Sequence, residues 1–431
     1  VRRQPFPLSP YDDRRVEYHI HENIFYDRME AVDATLEGLP EWTTPAFVVD
    51  QDAKGPLGRM VCAYGPVNDA VVPGGFPSAD PEAAFHACAG KTHHSTIDAL
   101  SGFHQFLLDA ESRHLLTVVT KAGLYRWTVL PFGPAHGPPI LQSFVHKHFD
   151  QLRDKSGEAF VLALMDDIKV SSSSLEQHCE HMCQVCERAE DKGFEFKSSK
   201  SRLNFPDCEL WGFVCDKSGR RAAPKKCDQL SSWPLPSNSS DLVSFLQFAQ
   251  YLREFLGEEY LQHEAVLRPL RKKGAKWAFY DDPKYAEAFE ALKKSLARDA
   301  VLHHPDFVVA SKPEETGRPF ELFVDASDIG YCGLLGQRLT PHGAPKIVGI
   351  VTHVFNETQR RWSAMERELF AMHESVLHFD RFVKGFLTFV YTDHLNNMHY
   401  ESVIDHKRVS KKMTGWVLDL QKYNITRIWI R

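Results

Sequence analysis

The chain has 431 residues, of which 43% are hydrophobic and 25% are charged. This composition is typical of a globular protein with about three domains, and the longest apolar runs are too short to cross a bilayer. The formal net charge of −6 counts against a dedicated nucleic-acid binder, because such proteins are more often basic.

The nine cysteines lack paired spacing, so we expect reduced thiols in an intracellular protein of the cytoplasm or the nucleus. No signal peptide is visible at the start. The chain begins at Val1 without a methionine. An organellar location therefore remains an alternative, since a targeting segment could precede this residue.

Three parts are expected along the chain, which together indicate an α+β multidomain protein. Residues 1–215 mix short apolar strands and helical segments, joined by Pro- and Gly-rich connections. Residues 216–311 are mostly helical, since Leu242, Phe245 and Leu252 recur at helical spacing. Residues 312–431 begin with a polar linker and continue with strands and one long helix, as in an α/β domain.

The adjacent carboxylates Asp166 and Asp167 interrupt an apolar stretch that runs from Ala159 to Val170. This pattern predicts two short strands joined by a tight turn, with the acids at its tip. Asp98 follows another short apolar strand. Three carboxylates could hold two metal ions for phosphoryl transfer, since hard oxygen ligands favour Mg²⁺. Solvated turn or cap residues are the alternative for each acid.

Ordered motifs connect these acids to a known family. Ile97-Asp98 with Ser101-Gly-Phe-His-Gln105, then Thr120–Gly133, then Leu164-Met-Asp-Asp167 resemble the reverse transcriptase of gypsy-type LTR retrotransposons. The likeness continues in later segments, which are Glu176–Arg188, Leu210–Phe213, Trp233–Pro236 and Phe245–Phe255.

The resemblance implies a right-hand polymerase followed by an RNase H-like α/β domain. Fingers and palm would occupy residues 1–215, the thumb or connection 216–311, and the RNase H-like domain 312–431. Asp98, Asp166 and Asp167 would be catalytic and would hold two Mg²⁺ ions, with Mn²⁺ as an alternative. The implied partners are an RNA template, an RNA–DNA hybrid and deoxynucleoside triphosphates. A second copy of the chain, in a homodimer, is an additional candidate partner.

Three residues match substrate-binding positions of the family. Phe103 matches a steric gate against the ribose 2′-hydroxyl, although an ordinary core aromatic is the alternative. Arg59 could meet the triphosphate. Gln142 matches a polar residue near the template and the nucleotide, and taken alone it would be a surface glutamine.

A second set of acids matches the family's RNase H pattern, in which two further divalent ions activate water. Asp325 and Asp393 follow predicted strands, and Glu368 lies on a predicted helix, whereas Glu366 is expected to be solvated. Three unrelated surface acids are the alternative. The family's fourth carboxylate is expected beyond Arg431, which would leave this domain C-terminally incomplete.

Several positions depart from the family pattern. Leu164 stands where the family has tyrosine, and Ala63 and Gly65 stand where it has aspartate and arginine. These changes support an alternative to the active enzyme. The chain could be a retroelement-derived structural or assembly protein with weak or lost catalysis, held in a larger protein or ribonucleoprotein assembly.

Two other clusters have simpler interpretations. A zinc site is considered for the histidines and cysteines of one predicted helix, but one helix cannot surround a tetrahedral ion. We expect a buried stripe of Cys179, Cys183 and Cys186 with exposed His178 and His181. The basic stretches 268–273 and 408–412 are expected to be solvated, with contact to a duplex backbone as the alternative.

Overall fold

The computed structural model describes residues 1–50, 52–72, 81–256, 259–271, 276–295, 300–399 and 411–430. The chain divides into two compact units, of which the first comprises Val1–Ala87 and Lys91–Cys208 and the second Cys88–Gly90 and Glu209–Arg431. The three expected domain ranges stay a prediction. Among the described helices, none combines the length and the apolar character that a membrane crossing needs.

The first unit contains two sheets. Their strands, numbered along the chain, are β1 (Met29–Val32), β2 (Thr44–Val49), β3 (Arg59–Cys62), β4 (His93–Asp98), β5 (Thr117–Val119), β6 (Leu124–Trp127), β7 (Val161–Leu164), β8 (Asp167–Ser172) and β9 (Arg202–Phe205). One sheet has the order β1-β6-β5-β2-β3 and the other the order β7-β8-β4-β9. Because β4 lies next to β8, the end of β4 lies beside the turn between β7 and β8.

The helices of the first unit vary from single turns to five turns. They are Pro10–Phe25, Ala34–Glu37, Gly65–Ala70, Pro81–His86, Ala110–Arg113, Gly137–His148 and Leu175–Lys192, with 3₁₀ turns at Asp52–Leu57, Gly102–Gln105, His114–Leu116 and Ser198–Lys200. The two longest helices after residue 100 contribute Leu141, Val145 and Val185 to an apolar cluster that also contains Ile168 and Val170 of β8. This packing supports the strands that carry the acidic turn.

The helix Leu175–Lys192 buries other side chains than the sequence predicts. The side chain of Ser174 accepts a hydrogen bond from Gln177 N at its start, and Gly193 ends it in the left-handed conformation. His178 and His181 face the sheet and are buried, whereas the cysteines of the helix are exposed. The expected buried thiol stripe with exposed histidines was therefore wrong.

Serine hydroxyls explain why histidines are tolerated inside this unit. His178 contacts Ser95 Oγ at 2.7 Å through Nε2 and Ser172 Oγ at 2.9 Å through Nδ1. His181 Nδ1 contacts the same Ser172 hydroxyl at 2.8 Å. Burial and the nearby His93, His181 and His94 lower the pKa of His178 to about 4, so the ring is neutral near pH 7 and can be buried.

The second unit also contains two sheets. Their strands are β10 (Asp207–Leu210), β11 (Phe213–Asp216), β12 (Gly219–Ala222), β13 (Leu302–His303), β14 (Phe320–Ala326), β15 (Gly330–Arg338), β16 (Pro345–Val354), β17 (Thr388–Thr392) and β18 (Ile425–Trp429). One sheet has the order β10-β11-β12-β13 and the other the order β16-β15-β14-β17-β18. In the five-stranded sheet β14, β15 and β16 are antiparallel, while β14, β17 and β18 are parallel.

Helices cover much of the second unit. They are Pro224–Ser231, Ser239–Tyr251, Glu259–Leu267, Pro283–Lys294, Phe307–Ala310, Pro313–Thr316, Glu357–Arg360, Ala364–His378, Asp380–Val383 and Lys411–Leu420, with 3₁₀ turns at Arg253–Phe255, Arg268–Arg271 and Leu395–His399. The predicted helical periodicity is confirmed, since Leu242, Phe245 and Leu252 are fully buried in one cluster. Ile347 and Ile350 of β16 pack against the same cluster.

Close packing explains the glycine-rich sequence of β15. A Cβ atom on Gly333 would lie 2.3 Å from Ser375 Oγ of the helix Ala364–His378. The absence of a side chain at Gly333 therefore lets this helix approach the sheet. The same helix begins with a reciprocal capping box between Ser363 and Glu366.

Alanine in place of either of two glycines of the second unit should change the free energy of unfolding in opposite directions. Gly333→Ala should lower the free energy of unfolding by about 1–3 kcal/mol, because the helix must move away from β15. Gly415→Ala should raise it by about 0.5–1 kcal/mol, because an exposed helical glycine with open space around it gains helix propensity. Urea unfolding of the full chain measures both, and an unchanged stability of Gly333→Ala would contradict the packing argument.

Candidate active sites

Strand pairing brings together the three acids of the first unit. Asp98 lies directly opposite Asp167 in the antiparallel pair of β4 and β8. Leu164 pairs with Asp167 across β7 and β8, which leaves Met165 and Asp166 as a two-residue turn. Met165 has a φ of 55°, as such hairpin turns require. The predicted hairpin with carboxylates at its tip is confirmed.

Burial and charge repulsion both act on the acids of this region, Asp98, Asp166 and Asp167, which we call the palm acid cluster. Burial and the charges of Asp98 and Asp167 raise the pKa of Asp166. Asp166 Oδ1 is buried and has no hydrogen-bond partner among the described residues. A divalent cation would satisfy this oxygen and offset the repulsion, so the donor set fits hard ions such as Mg²⁺.

Two lysines partly neutralise the palm acid cluster. Lys200 Nζ lies 3.6 Å from Asp98 Oδ2, and Lys169 Nζ lies 3.8 Å from Asp167 Oδ2. Lys169 is buried and also donates to Thr96 Oγ1 at 3.3 Å. Both lysines sit beside the cluster at ion-pair distance, and neither satisfies Asp166 Oδ1.

The glycine of the Ser101-Gly102 motif gives room for the carboxylate of Asp166. A Cβ atom on Gly102 would lie only 2.4 Å from Asp166 Oδ1. Ala99 N also donates to the main-chain oxygen of Asp166 at 2.8 Å. The segment after β4 therefore holds the main chain of Asp166 and leaves room for its carboxylate. Sequence reasoning identified this glycine only as part of a motif.

The side chain of Gln142 holds the same hairpin. Its Nε2 donates to Ala163 O at 3.0 Å, and its Oε1 accepts from Met165 N at 2.8 Å. The surface-glutamine alternative is therefore wrong, because the amide joins the helix Gly137–His148 to the strand and turn that carry Asp166. Its expected contact with the template or nucleotide stays a prediction.

An aromatic and cationic surface joins the other two predicted binding residues. Phe103 is buried and packs edge-on against Phe132 with ring centroids 4.9 Å apart. The guanidinium carbon of Arg59 lies 4.4 Å from the centroid of Phe132, a distance at which the ring attracts the cation. Phe132 therefore connects Arg59 to Phe103. Sequence reasoning missed it, although the Pro131-Phe-Gly motif was a signal.

Parallel strands assemble the acids of the second unit. Asp325 lies near the end of β14, and Asp393 directly follows β17, which runs parallel to β14. Glu368 projects from the helix Ala364–His378. One carboxylate oxygen from each of these acids lies within 4.8 Å of the others. We call these residues the RNase H-type acid cluster, and they are not three unrelated surface acids.

Glu368 is the buried member of this second cluster. Burial and the charges of Asp325 and Asp393 raise its pKa to about 8. Its Oε2 has no hydrogen-bond partner in the described part of the chain. The three carboxylates therefore also fit a divalent cation.

Glu366, two residues earlier, has a different structural role. It caps the helix with Ser363 and lies 2.9 Å from Lys412 Nζ. The expectation that Glu366 is solvated was therefore wrong. Its contacts hold it outside the acid cluster, which agrees with the choice of Glu368 over Glu366.

Hydrogen bonds hold the segment that carries Asp393. Thr392 Oγ1 accepts from His394 N at 3.2 Å and from Asn397 Nδ2 at 3.1 Å. Trp429 Nε1 donates to Asp393 O at 3.0 Å. The main chain on both sides of Asp393 is therefore fixed before any ion binds.

Two family models match the chain. The model described as reverse transcriptase (RNA-dependent DNA polymerase) matches residues 58–248. The model described as the RNase H-like domain found in reverse transcriptase matches residues 315–423. The first range contains the palm acid cluster, and the second contains the RNase H-type acid cluster.

Similar curated proteins are retrotransposon polyproteins. The retrovirus-related Pol polyprotein from transposon 297 of Drosophila melanogaster is 25% identical over 436 residues, covering 100% of this chain and 38% of the relative. The transposon Tf2-3 polyprotein of Schizosaccharomyces pombe is 26% identical over 374 residues, covering 85% of this chain and 26% of the relative. The chain thus spans well under half the length of these relatives.

Solved structures share the fold. The foamy viral protease-reverse transcriptase dRH in complex with ds DNA has a TM-score of 0.80 at 19% identity, covering 100% of this chain and 71% of that chain. The foamy viral protease-reverse transcriptase in complex with dsDNA has a TM-score of 0.79 at 19% identity, covering 100% of this chain and 86% of that chain. The predicted right-hand polymerase followed by an RNase H-like domain is confirmed. Residues 58–248 therefore belong to the reverse transcriptases and residues 315–423 to the RNase H-like domains found in reverse transcriptases, and the chain is similar to retrotransposon polyproteins.

Proposed function

We propose that the protein is an RNA-directed DNA polymerase with RNase H activity, and that each acid cluster holds two divalent ions. The observation that carries this proposal is that Asp98 and Asp167 lie opposite each other and both act on Asp166, whose own buried Oδ1 lacks a partner among the described residues. Mg²⁺ is the proposed ion and Mn²⁺ the alternative. The ions, when bound, supply activation of the attacking oxygen and stabilisation of the leaving oxygen.

The residues around the palm acid cluster position its substrates. Gln142 holds the hairpin, and the absence of a side chain at Gly102 leaves space for the Asp166 carboxylate. The ring of Phe103 excludes a ribose 2′-hydroxyl by steric contact, which favours deoxynucleotides. Arg59, supported on Phe132, binds the triphosphate.

The RNase H-type acid cluster performs the second proposed reaction. Asp325, Glu368 and Asp393 would hold the ions, and the ions would activate water for attack on the RNA strand of a hybrid. Burial and the charges of Asp325 and Asp393 raise the pKa of Glu368, and a bound cation would offset that repulsion and favour its ionised form.

The proposed partners are an RNA template, an RNA–DNA hybrid and deoxynucleoside triphosphates. The similar foamy viral proteins are described in complexes with dsDNA and with an RNA/DNA hybrid, and we extend this chemistry to the present chain. The convergence of both acid clusters supports the enzyme over the structural or assembly alternative. A homodimer and the intracellular location stay predictions.

Replacing one palm acid should abolish polymerisation. Asp166→Asn should lower Mg²⁺-dependent primer extension on an RNA template by about 1,000-fold or more, because the cation loses a ligand at the reacting oxygens. Asp191→Asn is the matched control, since this exposed aspartate lies at the end of the helix Leu175–Lys192 and should leave extension unchanged. No extension by a folded wild type would overturn the proposal.

Filling the space at Gly102 should disturb the same carboxylate. Gly102→Ala should lower the rate constant of extension by about 100-fold, because Asp166 must move from its position by a large part of an ångström. Gly65→Ala is the control, since a Cβ atom there meets nothing within 4 Å. Wild-type extension by Gly102→Ala would show that the close approach has no role in the site.

The titration of Glu368 should make the stability of the metal-free protein depend on pH. In the unfolded chain this carboxyl ionises near the ordinary glutamate pKa of 4.5, whereas in the fold its pKa is raised and it keeps its proton up to about pH 8. The unfolded state therefore binds fewer protons in this window, and the free energy of unfolding falls as pH rises from about 4.5 to 8. In the presence of EDTA, the free energy of unfolding of Glu368→Gln should fall over this pH range by at least about 1 kcal/mol less than that of the wild type.

Added Mg²⁺ should reverse that loss in the wild type and much less in Glu368→Gln. Urea unfolding with and without Mg²⁺ at each pH measures both effects. Glu366→Gln is the control on the same helix, because glutamine preserves the capping box. It should keep hybrid cleavage, which Glu368→Gln should lose. A pH profile that is identical in wild type and Glu368→Gln would contradict the role of this residue.

A further inference from the structure

Lys169 is a buried lysine beside the palm acid cluster. The residue is 6% exposed, although lysine is almost never fully buried unless its charge is paired. The other lysine at this cluster, Lys200, has a side chain that is 62% exposed. Solvent and salt screen an exposed charge much more than a buried one. Lys169 therefore places the stronger fixed positive charge beside these acids.

Strand register explains how Lys169 reaches the acids. Side chains two residues apart on a strand point to the same face, so Lys169 shares the face of Asp167 on β8. Thr96 pairs with Lys169 across β4 and β8, just as Asp98 pairs with Asp167. Lys169 Nζ donates to Thr96 Oγ1 at 3.3 Å and lies 3.8 Å from Asp167 Oδ2. The ammonium group is thus held by the next pair of residues on the face that carries the acids.

The contact between Lys169 and Asp167 is an ion pair without a hydrogen bond. Hydrogen bonds from a charged nitrogen to a carboxylate have lengths of about 2.7–2.9 Å. The distance of 3.8 Å between Nζ and Oδ2 is too long for such a bond. The ammonium group therefore acts on this carboxylate through its charge, and the carboxylate oxygen stays available as a ligand.

Two half-buried arginines of the second unit show the more usual arrangement of such a cation. Arg268 Nη1 donates to Val354 O at 2.8 Å, and Arg271 Nη1 donates to Glu264 Oε1 at 3.0 Å. The stretch that begins at Arg268 was expected to be solvated charge, and these contacts correct that expectation. Lys169 differs from both arginines, because its carboxylate partner lies beyond hydrogen-bond distance.

A fixed cation has opposite effects on the empty and on the occupied acid cluster. While no ion is bound, the positive charge attracts the neighbouring carboxylates and offsets their repulsion. When a divalent ion enters, the same charge repels the ion. Lys169 is buried and bonded to Thr96, so it cannot turn into the solvent as an exposed lysine can. It therefore stabilises the acids and competes with the ions that they bind.

We propose that Lys169 is a tethered cation that holds the palm acids together before an ion binds and lowers their affinity for divalent ions. Lys169 is a positioning residue, since it acts through Asp167. The inference rests on the proposed function for the binding of divalent ions at this cluster, while its effect is measured on ion binding alone. Removal of the charge should tighten ion binding, which damage to the fold would not do.

Local cleavage of the main chain measures ion binding at each acid cluster separately. Fe²⁺ takes the place of Mg²⁺ in the full chain, and ascorbate with hydrogen peroxide generates radicals that cut the chain near a bound ion. Mass spectrometry identifies the fragments from cuts near Asp166 and near Glu368. The Fe²⁺ concentration that gives half of the maximal cleavage reports the affinity of each cluster, and competition by added Mg²⁺ reports the affinity for that ion.

Lys169→Met should lower the half-saturating Fe²⁺ concentration at the palm acid cluster by about tenfold, because the ion no longer meets a buried positive charge. The value at the RNase H-type acid cluster should stay unchanged, which makes that cluster an internal control. Lys169→Gln removes the charge but keeps a donor for Thr96 Oγ1, and it should give the same shift. Urea unfolding in EDTA checks that both variants are folded.

Lys200→Met is the matched comparison for burial. Lys200 Nζ lies 3.6 Å from Asp98 Oδ2, but its side chain is exposed. The loss of this screened charge should change the half-saturating Fe²⁺ concentration by less than about twofold.

The outcomes separate this inference from the proposed function. An unchanged or weaker ion affinity in Lys169→Met and Lys169→Gln would overturn the inference, even in a chain that extends primers. Equal shifts at both clusters, an equal shift in Lys200→Met, or no cleavage near Asp166 in the wild type would also overturn it. A wild type and variants that show the expected shift without primer extension or hybrid cleavage would refute the proposed function alone.

Discussion

Repulsion between neighbouring carboxylates is the constraint around which both sites are organised. Three negative groups in one place raise the free energy of the fold unless their protons are retained or a cation binds. Burial, together with this repulsion, raises the pKa values of Asp166 and Glu368. In each cluster the acid with the raised pKa has a buried oxygen without a described partner. The surrounding fold must therefore supply the stability that keeps these acids together.

Main-chain pairing supplies this support in both units, by different geometries. In the first unit an antiparallel register sets Asp98 opposite Asp167, and a two-residue turn adds Asp166. In the second unit, parallel pairing sets the ends of β14 and β17 at one edge of the sheet, and a packed helix adds Glu368. Strand pairing and helix packing involve many hydrogen bonds and buried contacts, so they resist the repulsion of a few charges. The acids are held by elements whose stability does not depend on them.

Small residues and amides set the fine positions. Gly102 leaves room for Asp166, Gly333 lets the helix of Glu368 approach the sheet, and Gln142 joins a helix to the acidic hairpin. The sequence motifs contained Gly102, but a motif does not show which atom needs the space. The expected exposure of His178 and the expected burial of Cys183 were reversed for a related reason. Their side chains lie on different faces of one helix, and hydroxyl partners on distant strands decide which face can be buried.

The sequence alone determined the acids, the hairpin, the helical periodicity and the family resemblance, because these depend on short-range patterns and on ordered motifs. It could not determine which polar groups meet across the chain. Phe132 under Arg59 and Lys412 beside Glu366 join segments that are distant in sequence. Side-chain partners and unsatisfied buried atoms exist only once packing has fixed the distances between those segments. Tertiary structure therefore decided how each acid is held.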